Sequence, residues 1–225
     1  MEISVFSFNT GNSAVSKKFQ QTIEDNTFTE LCKEFDFLCL QEVSAKGSQN
    51  MLQKKMGEKW EYLDFRNKKL AIFYKKKFFN PNNTTCSEFG RYMGVNFIHL
   101  ETKISFTLVC AHMPYKKGKE KSWEKLQNYL KKLKYWVLAG DFNDKGKKIK
   151  SLKDVIKFEQ GNSVSKATTK KGSNMDDILS NGEVKSFRIG NFLLSDKEHF
   201  PVYGNILFKK PGKKEKKRKK KNKVK

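Results

Sequence analysis

The chain has 225 residues, 13% of them aromatic, and carries 47 Lys and Arg against 24 Asp and Glu, a formal net charge of +23. One domain with a sizeable core accounts for that length, and 19 Phe residues are too many core-forming rings for a disordered chain. No stretch of about 18 apolar residues occurs, which excludes a helical membrane span.

Met1-Glu2-Ile3-Ser4 lacks the basic and then apolar character of a secretory leader. Ile3 to Asn9 is β-branched and aromatic and stops at Thr10-Gly11-Asn12, the pattern of a buried strand entering a turn. Val15, Phe19 and Ile23 then recur at helical spacing. Thr27 and Glu30 form a capping-box pattern, which predicts a second helix from Thr27 with Phe28, Leu31, Cys32 and Phe35 on its apolar face. Phe37 to Val43 is a short apolar run that contains Gln41-Glu42 at its end. A helix is expected over Gln49 to Met56 and a strand over Leu70 to Tyr74. Asn80 to Gly90 is polar and reads as a loop. Met93 to Glu101 and Phe106 to Met113 read as a hairpin, and Trp123, Leu126, Leu130 and Leu133 as one helical face. Tyr135 to Ala139 predicts a buried strand running into Gly140-Asp141-Phe142-Asn143. A short helix is expected over Leu152 to Phe158, and strands near Asp176 to Leu179, Ser186 to Ile189 and Val202 to Phe208. Pro211-Gly212 breaks the last strand, so a core over 1–208 and a disordered Lys-rich tail over 209–225 are expected.

Strands outnumber helices, and several are apolar on both faces, so they need cover on both sides. That predicts an α/β protein with two packed sheets and helices outside. The four cysteines (Cys32, Cys39, Cys86, Cys110) form no CxxC pair, which argues against a zinc site and fits a reducing, intracellular compartment. The tail holds twelve Lys or Arg and one Glu, so residues 1–208 keep a charge of +12. A basic tail alone is a solvated extension or a nuclear address. A basic core as well points to a polyanionic partner, for which nucleic acid and an anionic membrane surface both fit. A composition rich in Lys, Asn and Phe throughout is a third, plainer reading of the charge.

Ionisable and amide groups follow the apolar strands. Asn9 ends the first, Glu42 the second, His112 the Phe106 strand, and Asp141 and Asn143 the Tyr135 strand; Asp176-Asp177 opens another, and Glu198-His199 precedes Pro201-Val202. Loops that gather strand ends commonly carry sites. Carboxylates, a carboxamide and two imidazoles gathered there would suit a hard cation and proton transfer. Singly, each has a plain reading: Asn9 as a turn former, Glu42 as a helix cap, Asp141 and Asn143 as an Asx turn. As a set they are harder to dismiss, because two of the three histidines fall at such ends. The third, His99, sits inside a strand and reads as structural.

Six ordered segments carry a resemblance. Ser7-Phe8-Asn9, Leu40-Gln41-Glu42-Val43, Cys110-Ala111-His112-Met113-Pro114, Gly140-Asp141-Phe142-Asn143, Met175-Asp176-Asp177-Ile178-Leu179 and Glu198-His199-Phe200-Pro201-Val202 together resemble the endonuclease/exonuclease/phosphatase superfamily. The resemblance runs from about residue 3 to residue 207. It implies a four-layer α/β/β/α sandwich, two packed mixed β-sheets flanked by helices, with the site at one end of the sheets. It also implies hydrolysis of phosphate esters with a divalent cation, Mg²⁺ with Mn²⁺ as the alternative. Glu42 matches the metal-binding glutamate and Asn9 the carboxamide beside it. His199 matches the general base and Asp176 the carboxylate that orients it. Asp141 and Asn143 match groups that position nucleophile, metal or phosphate, and His112 matches the second, phosphate-binding histidine. Arg91, in Phe89-Gly90-Arg91, matches a phosphate-contacting arginine of deoxyribonuclease I-like members.

Two departures from the family pattern stand out. The family motif Ser-Asp-His-x-Pro-Val here reads Ser195-Asp196-Lys197-Glu198-His199-Phe200-Pro201-Val202, which puts Glu198 at the aspartate position, a metal-site role, with Asp196 as the competitor. Lys68-Lys69 stands where deoxyribonuclease I-like members carry an acid that pairs with the second histidine. The implied activity is a metal-dependent nuclease acting on DNA, ahead of RNA, as a monomer. The alternatives are a lipid- or inositol-phosphate hydrolase of the same superfamily and a non-catalytic nucleic-acid-binding protein on this fold. Lys216 to Lys221 reads as a nucleic-acid anchor or a nuclear localisation signal.

Overall fold

The computed structural model describes residues 1–11, 16–43, 48–65, 69–87, 91–144, 147–162, 166–191, 194 and 199–209. The elements in order are β1 (Glu2–Asn9), α1 (Lys17–Glu24), α2 (Thr27–Cys32), β2 (Phe37–Gln41), α3 (Ser48–Met56), β3 (Trp60–Phe65), β4 (Leu70–Lys75), β5 (Phe79–Cys86), β6 (Tyr92–His99), β7 (Ser105–His112), α4 (Lys119–Leu130), β8 (Trp136–Asp141), α5 (Lys147–Lys153), β9 (Glu159–Gln160), β10 (Asp176–Ser180), β11 (Glu183–Ile189) and β12 (Val202–Leu207). They build two six-stranded sheets, ordered β11-β12-β1-β2-β4-β3 and β5-β6-β7-β8-β10-β9.

Each sheet is mixed, with one parallel pair at its centre: β1 with β2, and β7 with β8. A parallel pair needs a crossover. The segment holding α1 and α2 makes the first and the one holding α4 makes the second. Three apolar layers follow from the alternation of side chains along each strand. Ile3, Val5, Phe37, Cys39, Leu108, Cys110, Val137, Ala139 and Ile178 lie between the sheets. Phe6, Phe8, Leu38 and Leu40 face outward onto Phe19 and Ile23 of α1 and Phe28 of α2. Val109, Ala111 and Leu138 face Trp123, Leu126 and Leu130 of α4 and Ile149 of α5. The result is the expected four-layer α/β/β/α sandwich. Each fully buried Phe or Leu contributes roughly 1.5–3 kcal/mol of burial energy.

Four local expectations are corrected. Asn80–Gly90 was expected to be a loop, but β5 occupies Phe79–Cys86. It is an edge strand whose side chains are mostly exposed, and its register shifts between Pro81 and Asn83. A half-solvated edge needs no apolar alternation and tolerates Pro at a bulge. Two further edge strands carried no sequence expectation: the two-residue β9, and β3, where Tyr62 stacks on Phe73 at 5.1 Å. Thr27 does not cap α2: Asn26, at φ 66°, holds the N-cap, and Thr27 donates its N–H to Asp25 Oδ1 at 2.9 Å. The helix expected over Leu152–Phe158 is α5 at Lys147–Lys153, because Ile149 and Leu152 are the pair that buries. Leu133 lies past the end of α4 but still packs in the same apolar cluster.

Candidate active site

The site grows out of the inter-sheet core by strand parity. Along β7 the side chains of Phe106, Leu108 and Cys110 face the opposite sheet, and two residues on, where β7 ends, comes His112. On β8 the inward series Val137, Ala139 continues to Asp141; on β10 Ile178 leads back to Asp176; on β1 Ile3, Val5 continue through Ser7 to Asn9. With a side-chain period of two, all four polar residues occupy inward register positions at one end of the sandwich. A rung of polar groups separates them from the apolar layer: Gln41 Nε2 donates to Ser7 Oγ at 3.2 Å and lies 3.4 Å from Cys110 Sγ.

Across this end the two sheets are linked through Asp141. Its Oδ2 accepts from Asn9 Nδ2 at 3.0 Å and lies 3.7 Å from His112 Nε2 and 3.9 Å from His199 Nε2. Asn9 Nδ2 also reaches Glu42 Oε1 at 3.3 Å, and that oxygen is 3.7 Å from His112 Nε2. The Asn9 side-chain Oδ1 accepts the Gly11 N–H at 2.9 Å. His199 Nδ1 is 2.8 Å from Asp176 Oδ2. Asp176 Oδ1 is buried with no hydrogen-bond partner among the described residues. Asp141, Asp176 and His199 each offer a ligand atom within 4.8 Å of the others.

The electrostatics follow from crowded carboxylates. Burial, with the Asp176 charge adding to it, pushes the Asp141 carboxyl up to about 6, against the opposing pull of His199, His112 and Asn9. Burial works against charge on His199, but Asp176, Asp141 and Glu42 outweigh it and raise its pKa to about 9. Glu42, Asp141 and Asp176 thus converge on one spot with two imidazoles. Hard oxygen donors in excess of fixed positive charge are the donor set that suits Mg²⁺ or Mn²⁺. The residues present therefore fit a divalent cation.

Local structure holds these groups in place. Asn143 donates its N–H to Asp141 Oδ1 at 2.9 Å, an Asx turn, and its Nδ2 to Met113 O at 2.9 Å. The turn reading of Gly-Asp-Phe-Asn is therefore correct, and it uses only one oxygen of Asp141. Glu42 has φ 58° and Asn143 φ 46°. A left-handed backbone at a non-glycine such as Glu42 stores roughly 1–3 kcal/mol of strain and is concentrated at functional sites.

Two supporting residues carried no sequence signal. Lys119 Nζ meets Asn143 O at 3.0 Å and Asp144 Oδ1 at 3.0 Å. The buried Thr168 hydroxyl accepts from Met175 N at 2.9 Å and Asp176 N at 3.0 Å, while its carbonyl accepts from Phe200 N at 2.8 Å. Thr169 forms a single antiparallel bridge with His199. Thr168-Thr169 thus ties the two halves of the His199–Asp176 pair together. Only a search for hydroxyls about a full loop ahead of a strand's opening acid, here eight residues before Asp176, would mark it.

Asn9, Glu42, His112, Asp141, Asn143, Asp176 and His199 are all brought together. Arg91 is adjacent through backbone: its carbonyl accepts the His112 N–H at 2.8 Å. Glu198, like its competitor Asp196 and like Lys68, lies outside the described residues, as does the tail over 210–225. Lys209 itself is described, with its Nζ 2.6 Å from Glu183 Oε2. Lys69 O accepts the Val43 N–H at 3.1 Å. The carboxylates facing His112 are Glu42 and Asp141 rather than an acid ahead of β4. Asp177 points away from the site: Asn162 N and Ile178 N donate to its Oδ1 at 2.8 and 2.7 Å, and Gln160 Nε2 to its Oδ2 at 2.7 Å. His99 is structural: its Nδ1 accepts the Thr102 N–H at 3.0 Å and its ring packs on Phe79.

No protein-family model and no curated protein matches the sequence. Solved structures do match it. An endonuclease/exonuclease/phosphatase from Bacteroides vulgatus is similar with a TM-score of 0.77 at 14% identity, covering 93% of this chain and 100% of that one. D. rerio TDP2 complexed with a single-strand DNA product has a TM-score of 0.72 at 13% identity, covering 92% of this chain and 99% of that one. The human Nocturnin catalytic domain, with bound sulfate, has a TM-score of 0.68 at 15% identity, covering 92% of this chain and 95% of that one. At such identities the likeness is one of fold, and it agrees with the order of the six motifs: the chain has the fold of the endonuclease/exonuclease/phosphatase superfamily.

Proposed function

We propose that the chain is a divalent-metal-dependent phosphodiesterase that hydrolyses nucleic-acid backbones, DNA ahead of RNA. One observation carries the reading: the His199–Asp176 pair at 2.8 Å faces Asp141, which His112 and Asn9 also face, across the junction of the sheets. Glu42 with Asp141 would hold the cation, with Asn9 fixing both carboxylates through its amide N–H groups and Glu198 as a further acid. When bound, Mg²⁺ or Mn²⁺ supplies positive charge to the phosphoryl oxygens as they gain negative charge.

The remaining steps belong to the chain. Asp176 accepts from His199 Nδ1, which leaves Nε2 facing the site to take a proton from water as the water oxygen attacks phosphorus. The P–O bond to the leaving oxygen breaks and that oxygen takes a proton from solvent water, while His112 Nε2 at the end of β7, with Arg91 just ahead of β6, would meet the phosphate. Asn143 holds Asp141 in position and offers its remaining amide capacity to a phosphate oxygen. The +12 of residues 1–208 supports a polyanionic substrate, and the single-strand DNA product bound by the TDP2 structure supports nucleic acid over lipid headgroups.

Hydrolysis of bis(p-nitrophenyl) phosphate and of a plasmid, with Mg²⁺ or Mn²⁺ and with a chelator, tests the reading. Turnover should vanish in the chelator, and His199→Ala and Glu42→Gln should each lower kcat by at least about 10²-fold. Undiminished turnover in the chelator would overturn the metal assignment.

A further inference from the structure

The part of the molecule that the catalytic reading leaves unused is a groove beside the site. One wall is the edge strand β11, and the other is β9 with Gly161, Asn162 and Lys166. Two cavities of about 380 and 540 Å³ share Gly161 and Phe187 in their walls and so form one continuous groove. Phe187 supplies its floor. Its ring lies so close over Gly161 that a Cβ there would sit 2.3 Å from Phe187 Cδ2.

Four cations line the groove, Lys166 and Arg188 in one cavity and Lys153 and Lys185 in the other, against the single acid Glu159. The second pair is engaged: Lys185 Nζ is 2.6 Å from Glu183 Oε1, and Lys153 lies over the Phe158 ring at 5.8 Å. Both Lys166 and Arg188 are exposed, and neither side chain has a partner among the described residues.

The end with the two unengaged cations adjoins the catalytic pair. Arg188 is opposite Tyr203 in the sheet, and Gly190 N–H donates to Pro201 O at 2.8 Å. Four residues of chain therefore separate His199 from the groove, about 13 Å at full extension. On the other wall, Lys166 N and O are both bonded to the Asn162 side chain, and Thr168, two residues on, holds Asp176 N. Both walls are thus fixed to the two members of the pair.

We propose that this groove binds a single-stranded segment of the nucleic-acid substrate, continuous with the scissile phosphate, with Lys166 and Arg188 on its phosphates and Phe187 beneath a base. This rests on the phosphodiesterase reading for what the site cleaves. A positively charged track with an aromatic floor is how sequence-tolerant single-strand binding is built. A duplex keeps its base faces stacked and cannot present one to a ring at the bottom of a cleft.

The test is binding of a fluorescent 15-nucleotide single strand, read by anisotropy over a salt series in chelator, so that no turnover is required. Against the unsubstituted chain, Lys166→Ala/Arg188→Ala should weaken binding about tenfold and reduce the slope of log K against log salt by roughly 1.4, at 0.7 per phosphate contact. Lys76→Ala/Lys77→Ala, at the opposite end of the sheets, removes the same charge from exposed positions and should leave both unchanged. Equal losses in the two double variants, or an unchanged slope in the first, would overturn the groove. So would an equal loss for a hairpin duplex of the same length. Hydrolysis of bis(p-nitrophenyl) phosphate, too small to reach the groove, should be the same in Lys166→Ala/Arg188→Ala as in the unsubstituted chain. Its absence from the unsubstituted chain would count against the phosphodiesterase reading and not against the groove.

Discussion

His199 is charged near neutral pH in the metal-free chain, because Asp176, Asp141 and Glu42 together overcome its burial and hold its pKa at about 9. The unfolded chain gives a histidine about 6.5. The folded state therefore binds this proton more tightly, so its stabilisation is complete below pH ~6.5 and is lost as pH rises through about 9. The size is roughly 3 kcal/mol at 1.36 kcal/mol per pH unit. Urea unfolding of metal-free protein at pH ~6 and pH ~9.5 should show that loss, and His199→Gln should remove it. The same pH dependence in both proteins would show that other groups carry it. The Asp176 and Asp177 pair shows what a residue type leaves undecided. Both are buried acids in one short strand, and the family pattern favours Asp176. The structure gives the physical ground: Ile178 faces the other sheet, so Asp176 shares its side and meets His199, while Asp177 turns outward to three N–H donors.

At the scale of elements, the site depends on how closely β7 and β8 approach. His112 pairs with Asp141 and Ala111 with Gly140 in this parallel ladder. Gly140 has φ 156°, and a Cβ there would lie 2.0 Å from Ala111 O. A backbone oxygen at that distance cannot give way without opening the ladder. Gly140→Ala should therefore cost several kcal/mol, roughly 3, in the class of strained special backbone positions, and displace His112 from Asp141. Thermal unfolding together with turnover of the folded fraction would check it; an unchanged melting temperature would show that the ladder can open. The central strands were legible because burial on both faces demands continuous apolar runs. The edge strands β3 and β5 were not, because an edge side chain is half in water and its pairing comes from a neighbour distant in sequence. The Thr27 capping box failed because Asp25 two residues earlier offered the acceptor instead.

For the whole molecule, charge has two separable parts. Residues 210–225 carry eleven Lys or Arg, whereas the groove contributes two unengaged cations. Tail cations have no base-stacking surface among them, so they act on any polyanion. Deleting 210–225 should weaken binding of duplex and single strand alike and flatten both salt slopes, with the melting temperature and kcat on saturating substrate nearly unchanged. An unchanged slope for both would mean that the tail does not contact nucleic acid. This behaviour differs from that of Lys166→Ala/Arg188→Ala, which should spare the duplex.

The sequence by itself determined the central strands, the sandwich architecture and seven residues that meet at the site. Each of these is written in short-range periodicity or in the order of strand-end motifs. It also named Arg91, which lies beside His112 through a backbone hydrogen bond. Only the tertiary structure decided which atoms face one another. The Asn9 amide bridging two carboxylates, Asp141 between both histidines, and Thr168 binding the two halves of the His199–Asp176 pair all join residues far apart in the chain. The groove between β9 and β11 is likewise absent from any local pattern. Its walls belong to different sheets, and their approach is set by the packing of the apolar layer between those sheets.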